Sequence, residues 1–176
     1  MSKLGVGLVT MAMMLGGSLA AATPETWHRG TVHVVRGMPE PSVRLHSDSD
    51  KWELSGPLAG ELGQLQSATV KVRGAPKNGR LRAKAYKILD VGGGIRPLVG
   101  HVAVQEGHLV VERDGADPLR LQVTPRGSRR LRGLAGAKIW VYGNRDTDSA
   151  PLKVMRYGVL KPPPKSEDNQ AQNASD

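Results

Sequence analysis

Apolar and polar side chains alternate along this chain in short runs, and the whole set of runs occurs twice. In the first set, Thr31-Val-His-Val-Val-Arg36 reads as a strand, and Val43 and Leu45 alternate with Arg44 and His46 as a second. Trp52 and Leu54 mark a third strand, which Gly56-Pro57 ends. Leu58, Leu62 and Leu65 then fall at i, i+4 and i+7, the spacing of one face of a two-turn helix. Residues 68–73 and 80–89 give strands four and five. The turn between them, Pro76-Lys77-Asn78-Gly79, has the Asn-Gly pair that supplies a positive φ.

The second set restarts at Gly100-His-Val-Ala-Val104, which lies over Gly30-Thr-Val-His-Val34. Leu109 and Val111 supply its second strand, Leu119 and Leu121 its third, over Trp52 and Leu54, and Leu131 and Leu134 repeat the helix face of Leu62 and Leu65. Most telling is Leu65-Gln-Ser-Ala-Thr-Val-Lys-Val-Arg-Gly74 laid over Leu134-Ala-Gly-Ala-Lys-Ile-Trp-Val-Tyr-Gly143, which agrees at five positions including both ends. The fifth strands agree as well, Leu81, Ala83, Tyr86, Ile88 and Leu89 over Leu152, Val154, Tyr157, Val159 and Leu160. In both, the apolar positions change from one parity to the other midway. Period-two alternation cannot slip without turning the side chains over, so a bulge or bend is expected there in each copy.

The order strand, strand, strand, short helix, strand, strand resembles the OB-fold, a five-stranded Greek-key barrel with its helix between strands three and four. An SH3-like barrel has its helical turn between strands four and five, so the Leu58/Leu62/Leu65 position argues against it. The pattern is most similar to exported bacterial proteins built of small OB-like repeats. The expected fold is therefore all-β, two tandem five-stranded OB-like barrels. Residues 1–22 read as a signal peptide, with Lys3 ahead of an apolar run and small residues at a cleavage site. The first repeat is expected over 23–91, a flexible Gly-rich linker over 92–98 and the second repeat over 99–161. A Pro-rich and then disordered tail fills 162–176. Such a chain is expected in the periplasm or secreted.

Composition narrows the chemistry. The 176 residues carry a net charge of +9, no Cys and no Phe. Disulfides, thiolate metal sites and a Cys nucleophile are thereby excluded. The five His fall in no metal-ligand spacing, the two D-x-D pairs lack the rest of a calcium loop, and no phosphate loop or nucleophile elbow occurs. No catalytic residue, metal or cofactor is expected, and the chain reads as a non-enzyme. If Val70, Val72, Leu81 and Ala83 point inward, then Lys71, Arg73, Arg80 and Arg82 point outward, with Lys77 and Lys84 beside them. The second copy by the same geometry presents Lys138, Trp140, Tyr142 and Lys153. Cations with flat aromatic faces suit a polyanion, either single-stranded nucleic acid or an acidic envelope polysaccharide. In the alternative reading the chain is a structural or partner-binding component of the envelope, in which Trp140, Tyr142 and the Pro-rich end contact another protein; a third use of the two aromatics is to pack the second copy against the first.

Overall fold

The structure, a computed structural model, describes residues 24–37 and 41–164. The expected signal peptide, the middle of the first turn and the tail from 165 onward lie outside the described residues. The first half comprises β1 (Thr26–Val35), β2 (Ser42–His46), β3 (Lys51–Ser55), α1 (Ala59–Gly63), β4 (Thr69–Gly74), β5 (Pro76–Lys77), β6 (Arg80–Arg82) and β7 (Ala85–Asp90). The second comprises β8 (Leu98–Gln105), β9 (His108–Arg113), β10 (Ala116–Gln122), α2 (Pro125–Arg132), β11 (Lys138–Asn144) and β12 (Leu152–Lys161). The fold is all-β apart from the two short helices. Strands of the second half close a five-stranded barrel in the order β10-β12-β11-β8-β9, and those of the first form a seven-stranded sheet, β5-β6-β3-β2-β1-β4-β7.

The pairings of the halves correspond. Strand one pairs antiparallel with strands two and four in both, as β1 with β2 and β4, and β8 with β9 and β11. Strand three pairs parallel with strand five, through Leu54↔Leu81 in one half and Leu121↔Leu152 in the other. Val32 N–H donates to Ala68 O at 3.0 Å and Val102 N–H to Ala137 O at 2.9 Å, so the bonds that close strand one on strand four also coincide.

Two glycine pairs show why the backbone can repeat so closely. A Cβ on Gly30 would lie 2.5 Å from the His46 carbonyl oxygen, and one on Gly100 2.2 Å from that of Glu112. Gly74 and Gly143 are equally confined, 2.4 Å from Arg82 O and 2.0 Å from Lys153 O. Strands cross too closely there for any side chain, so glycine is required by contact.

The expected irregularity in strand five is present in both halves. In the first the strand breaks at Ala83 and Lys84, and the two parts, β6 and β7, pair with different neighbours. In the second, the partners of Tyr142 and Gly143 are Arg156 and Val154, which leaves Met155 bulged and 62% exposed. A further register shift skips Leu89 and Leu160 at equivalent places. The bulge at Leu160 has a consequence for packing. That side chain is buried with the core of the first half, alongside Val32, Leu45, Leu62, Val70, Val72 and Leu81, and Val99 and Trp140 of the second half pack against the same core. The second half keeps its own core around Val111, Leu131, Ile139 and Val141.

The Gly-rich run between the halves, expected as a linker, is wound around a carboxylate. Asp90 accepts hydrogen bonds from the backbone N–H groups of Gly92, Gly94 and Ile95. Gly92, Gly93 and Gly94 all have positive φ, a conformation open to glycine at little cost.

Candidate functional site

Strand β1 begins at Thr26, earlier than expected, and this extension supplies the centre of the site. In β1 the buried Gly30 and Val32 alternate with outward Trp27, Arg29, Thr31 and His33. Register places Trp27 beside Arg73, and Arg29 beside Lys71 on β4, which in turn faces Lys87 on β7. The indole of Trp27 is 43% exposed. It lies between two cations, with Arg73 Cζ 5.8 Å and Lys87 Nζ 5.6 Å from the ring centroid.

Arg29, Lys71 and Lys87 form a row of like charges on three adjacent strands, an arrangement that costs stability when nothing neutralises it. Among the described residues none of these three, nor Arg73, is ion-paired. Lys84 at the edge pairs with Glu25, and that contact first, then the charges of Lys84 and Arg73, holds the Glu25 carboxyl below its ordinary pKa despite desolvation. Further along β1, the His33 and His46 rings stack with centroids 4.1 Å apart. Desolvation and then the nearby His33, Lys51 and Arg44 lower the pKa of His46. The face is thus a cationic platform with an aromatic plate at one end.

The basic residues named from the sequence divide into two groups. Lys71 and Arg73 are on this platform. Arg80 and Arg82 pair in register with Glu53 and Ser55 of β3, and Lys77 lines the same hollow; Arg80 also forms an ion pair with Glu53 at 3.5 Å. The division follows from the break in strand five, which hands β6 to β3 and leaves β7 with β4. Trp27, Arg29 and Lys87 were not among the residues named. Their signal was present, since Trp27, Arg29 and Thr31 continue the alternation of β1 by two further steps.

The second copy's candidates stand elsewhere. Lys138, Trp140 and Tyr142 alternate with buried Ile139 and Val141, so they do point away from their own barrel. Lys138 and Trp140 meet the first half, while Tyr142 is half-buried. Lys138 Nζ bonds Glu61 Oε2 of α1 at 2.7 Å and stands 5.0 Å from the Tyr86 ring centroid. The Tyr86 hydroxyl donates to the same carboxylate oxygen at 2.6 Å. Burial raises the Glu61 carboxyl, but the Lys138 and Tyr86 hydrogen bonds outweigh it and the pKa lies below the ordinary value. Burial, with the Glu61 contact, pushes the Tyr86 phenol well upward. Trp140 is half-buried, its indole over Gly158, and Lys153 is occupied by Asp146 at 2.8 Å.

Among the described residues there is no cluster of three or more His, Cys, Asp or Glu able to hold a metal. Among the described residues no helix is long and apolar enough to cross a membrane. The chain matches no protein-family model and no curated protein sequence.

Proposed function

We propose that the chain is an exported, non-catalytic binding protein of two OB-type barrels, which holds an anionic polymer on the outer face of β1, β4 and β7. The repeated pairings, with strand three parallel to strand five and a helix between strands three and four, support the barrel reading for both halves. The fifth strand of the first half is on this reading the broken pair β6 and β7, joined to β4 by the bond from Lys84 N–H to Arg73 O at 2.9 Å. On this reading the repeats span 23–91 and 99–161, and export follows from the signal-like segment at 1–22, to the periplasm or beyond.

The observation that carries the function is Trp27 between Arg73 and Lys87, beside the unpaired row Arg29–Lys71–Lys87. An exposed indole supplies a stacking surface for a base or a sugar ring, and the row supplies charge for a phosphate or carboxylate backbone. Strand geometry sets same-face side chains roughly 7 Å apart along β1 and about 5 Å apart across the strands, a grid suited to repeating charges. The envelope-component alternative drew on Trp140 and Tyr142 as contact residues. Lys138 and Trp140 are engaged with the first half, so neither a polymer nor a partner is assigned to them, and the polymer reading rests on the β1 face alone.

The test is binding of single-stranded DNA and of acidic polysaccharides at two salt concentrations. Replacing Arg29, Lys71, Arg73 and Lys87 by Gln is expected to weaken binding and to lower the slope of log affinity on log salt by about 0.7 per lost phosphate contact. Trp27→Ala is expected to lose roughly 1–3 kcal/mol of binding, with the melting temperature held. Trp140→Ala should instead lower stability by roughly 2–3 kcal/mol, less than for a fully buried Trp. A quadruple variant that binds every polymer as the parent does would remove the platform from consideration.

A further inference from the structure

The two halves share a hollow under the helix, and only one of the two hollows has become cationic. In the first half it lies between Val43, Leu54, Gly63 and their neighbours, about 480 Å³ in volume, and its charged lining residue is Glu53. In the second half the corresponding space, about 300 Å³, lies between α2, the end of β10 and the turn joining β8 to β9. By the same pairing that places Leu121 at Leu54 and Leu131 at Leu62, Arg120 replaces Glu53 and Arg132 replaces Gly63. The sign of the site is inverted between corresponding positions of the two halves.

We propose that this second hollow is a recognition site for a tetrahedral oxyanion, a phosphate or a phosphate ester. Arg120, Arg132, His108, Ser128 and Gln122 line it, and no carboxylate does. The Arg132 guanidinium spans it from α2, giving one N–H to Gly107 O at 2.6 Å and keeping its other donors for a ligand. That bond fixes the fork in place, and a guanidinium held in position matches two oxygens of a phosphate. Neither Arg120 nor Arg132 is ion-paired among the described residues. Ser128 and His108 offer shorter donors from opposite walls. The site is independent of the β1 platform: it contains no aromatic plate and belongs to the other half.

The experiment is an amide-resolved NMR titration of the full chain with inorganic phosphate, beside short oligonucleotides with and without a 5′-phosphate. Saturable shifts are expected at Gly107, His108 and Ser128. Arg120→Gln should weaken the response at least tenfold, and Arg120→Glu, which restores the charge of the first half's hollow, should abolish it. Arg132→Gln provides a second variant, and both arginines are exposed, so an unchanged melting temperature checks folding. Trp27→Ala should leave the phosphate response intact, which keeps this site and the platform separately testable. A 5′-phosphate that tightens oligomer binding only while Arg120 is present would identify a polymer end as the ligand. Equal oligomers with saturable inorganic phosphate would identify the free ion. Phosphate shifts that never saturate, or that survive Arg120→Glu, overturn the proposal.

Discussion

Glu61, Lys138 and Tyr86 tie the halves together, and removing Glu61 should loosen that junction by a predictable amount. Its carboxylate side chain is 12% exposed and that of Lys138 25%, so neither is fully hydrated. Glu61→Ala deletes the acceptor of two hydrogen bonds, one from an ammonium and one from a phenol. A hydrogen bond to a charged group contributes about 1.5–3 kcal/mol. The ammonium of Lys138 recovers part of its loss by turning toward water, which it partly reaches already. A cost of about 3 kcal/mol follows, and for a chain of this size about 6–10 °C in melting temperature. Glu61→Gln keeps an oxygen for Tyr86 and loses only the charge, so about 1–2 kcal/mol is expected.

A double-mutant cycle with Lys138→Met isolates the pair, and chemical denaturation at pH 7 reads it. Coupling of about 1–2 kcal/mol is expected, and additivity to within about 0.5 kcal/mol would refute the clasp. The pH dependence has a definite sign. The folded pKa of Glu61 lies below its ordinary value of 4.5, so the unfolded chain takes up the proton first as pH falls. The stabilisation from Glu61 is complete above the unfolded value and disappears as pH drops through the folded one. The parent and Glu61→Gln should therefore converge in stability once the pH has fallen through that lowered folded value. A gap that persists at acid pH would assign the effect to packing instead.

Two further changes test the backbone. Gly30→Ala and Gly100→Ala each drive a methyl into a facing carbonyl, at 2.5 and 2.2 Å, and each should cost about 2–3 kcal/mol in thermal or denaturant unfolding. In α2 the Thr124 hydroxyl oxygen accepts from Gly127 N–H at 3.2 Å ahead of Pro125, so Thr124→Ala should cost about 1 kcal/mol by the same measurement.

The framework was legible because it depends on period-two burial and on contact glycines, both local marks. Val32, Val70, Val72, Leu81 and Ala83 are fully buried, each on the parity that the alternation assigned. The parity change in strand five marked its irregularity in both copies. What the alternation could not give is the company each outward side chain keeps. Lys71 and Trp140 both point away from the core face of their own strands, and nothing in their neighbours along the chain says that one faces open space and the other a second core. Likewise Arg80 and Arg73 lie on successive strands, and only the break at Ala83 and Lys84 separates their surroundings.

This equivalence between Lys71 and Trp140 bears on why the platform belongs to one half. Superposing the repeats puts Thr69, Lys71 and Arg73 of β4 on Lys138, Trp140 and Tyr142 of β11. The fourth strand's outer face thus has two uses. In the first half it stays open and gathers Trp27, Arg29 and Lys87 from its neighbours. In the second, Lys138 and Trp140 carry it against α1 and the first core, and the bulge at Leu160 adds an apolar anchor beside them. A polymer bound to the first half consequently has no duplicate seat on the second, and one platform per chain is expected. Stoichiometry tests this: saturation of a long oligomer series at two platforms per chain would require Trp140 to be free, against its place in the first core.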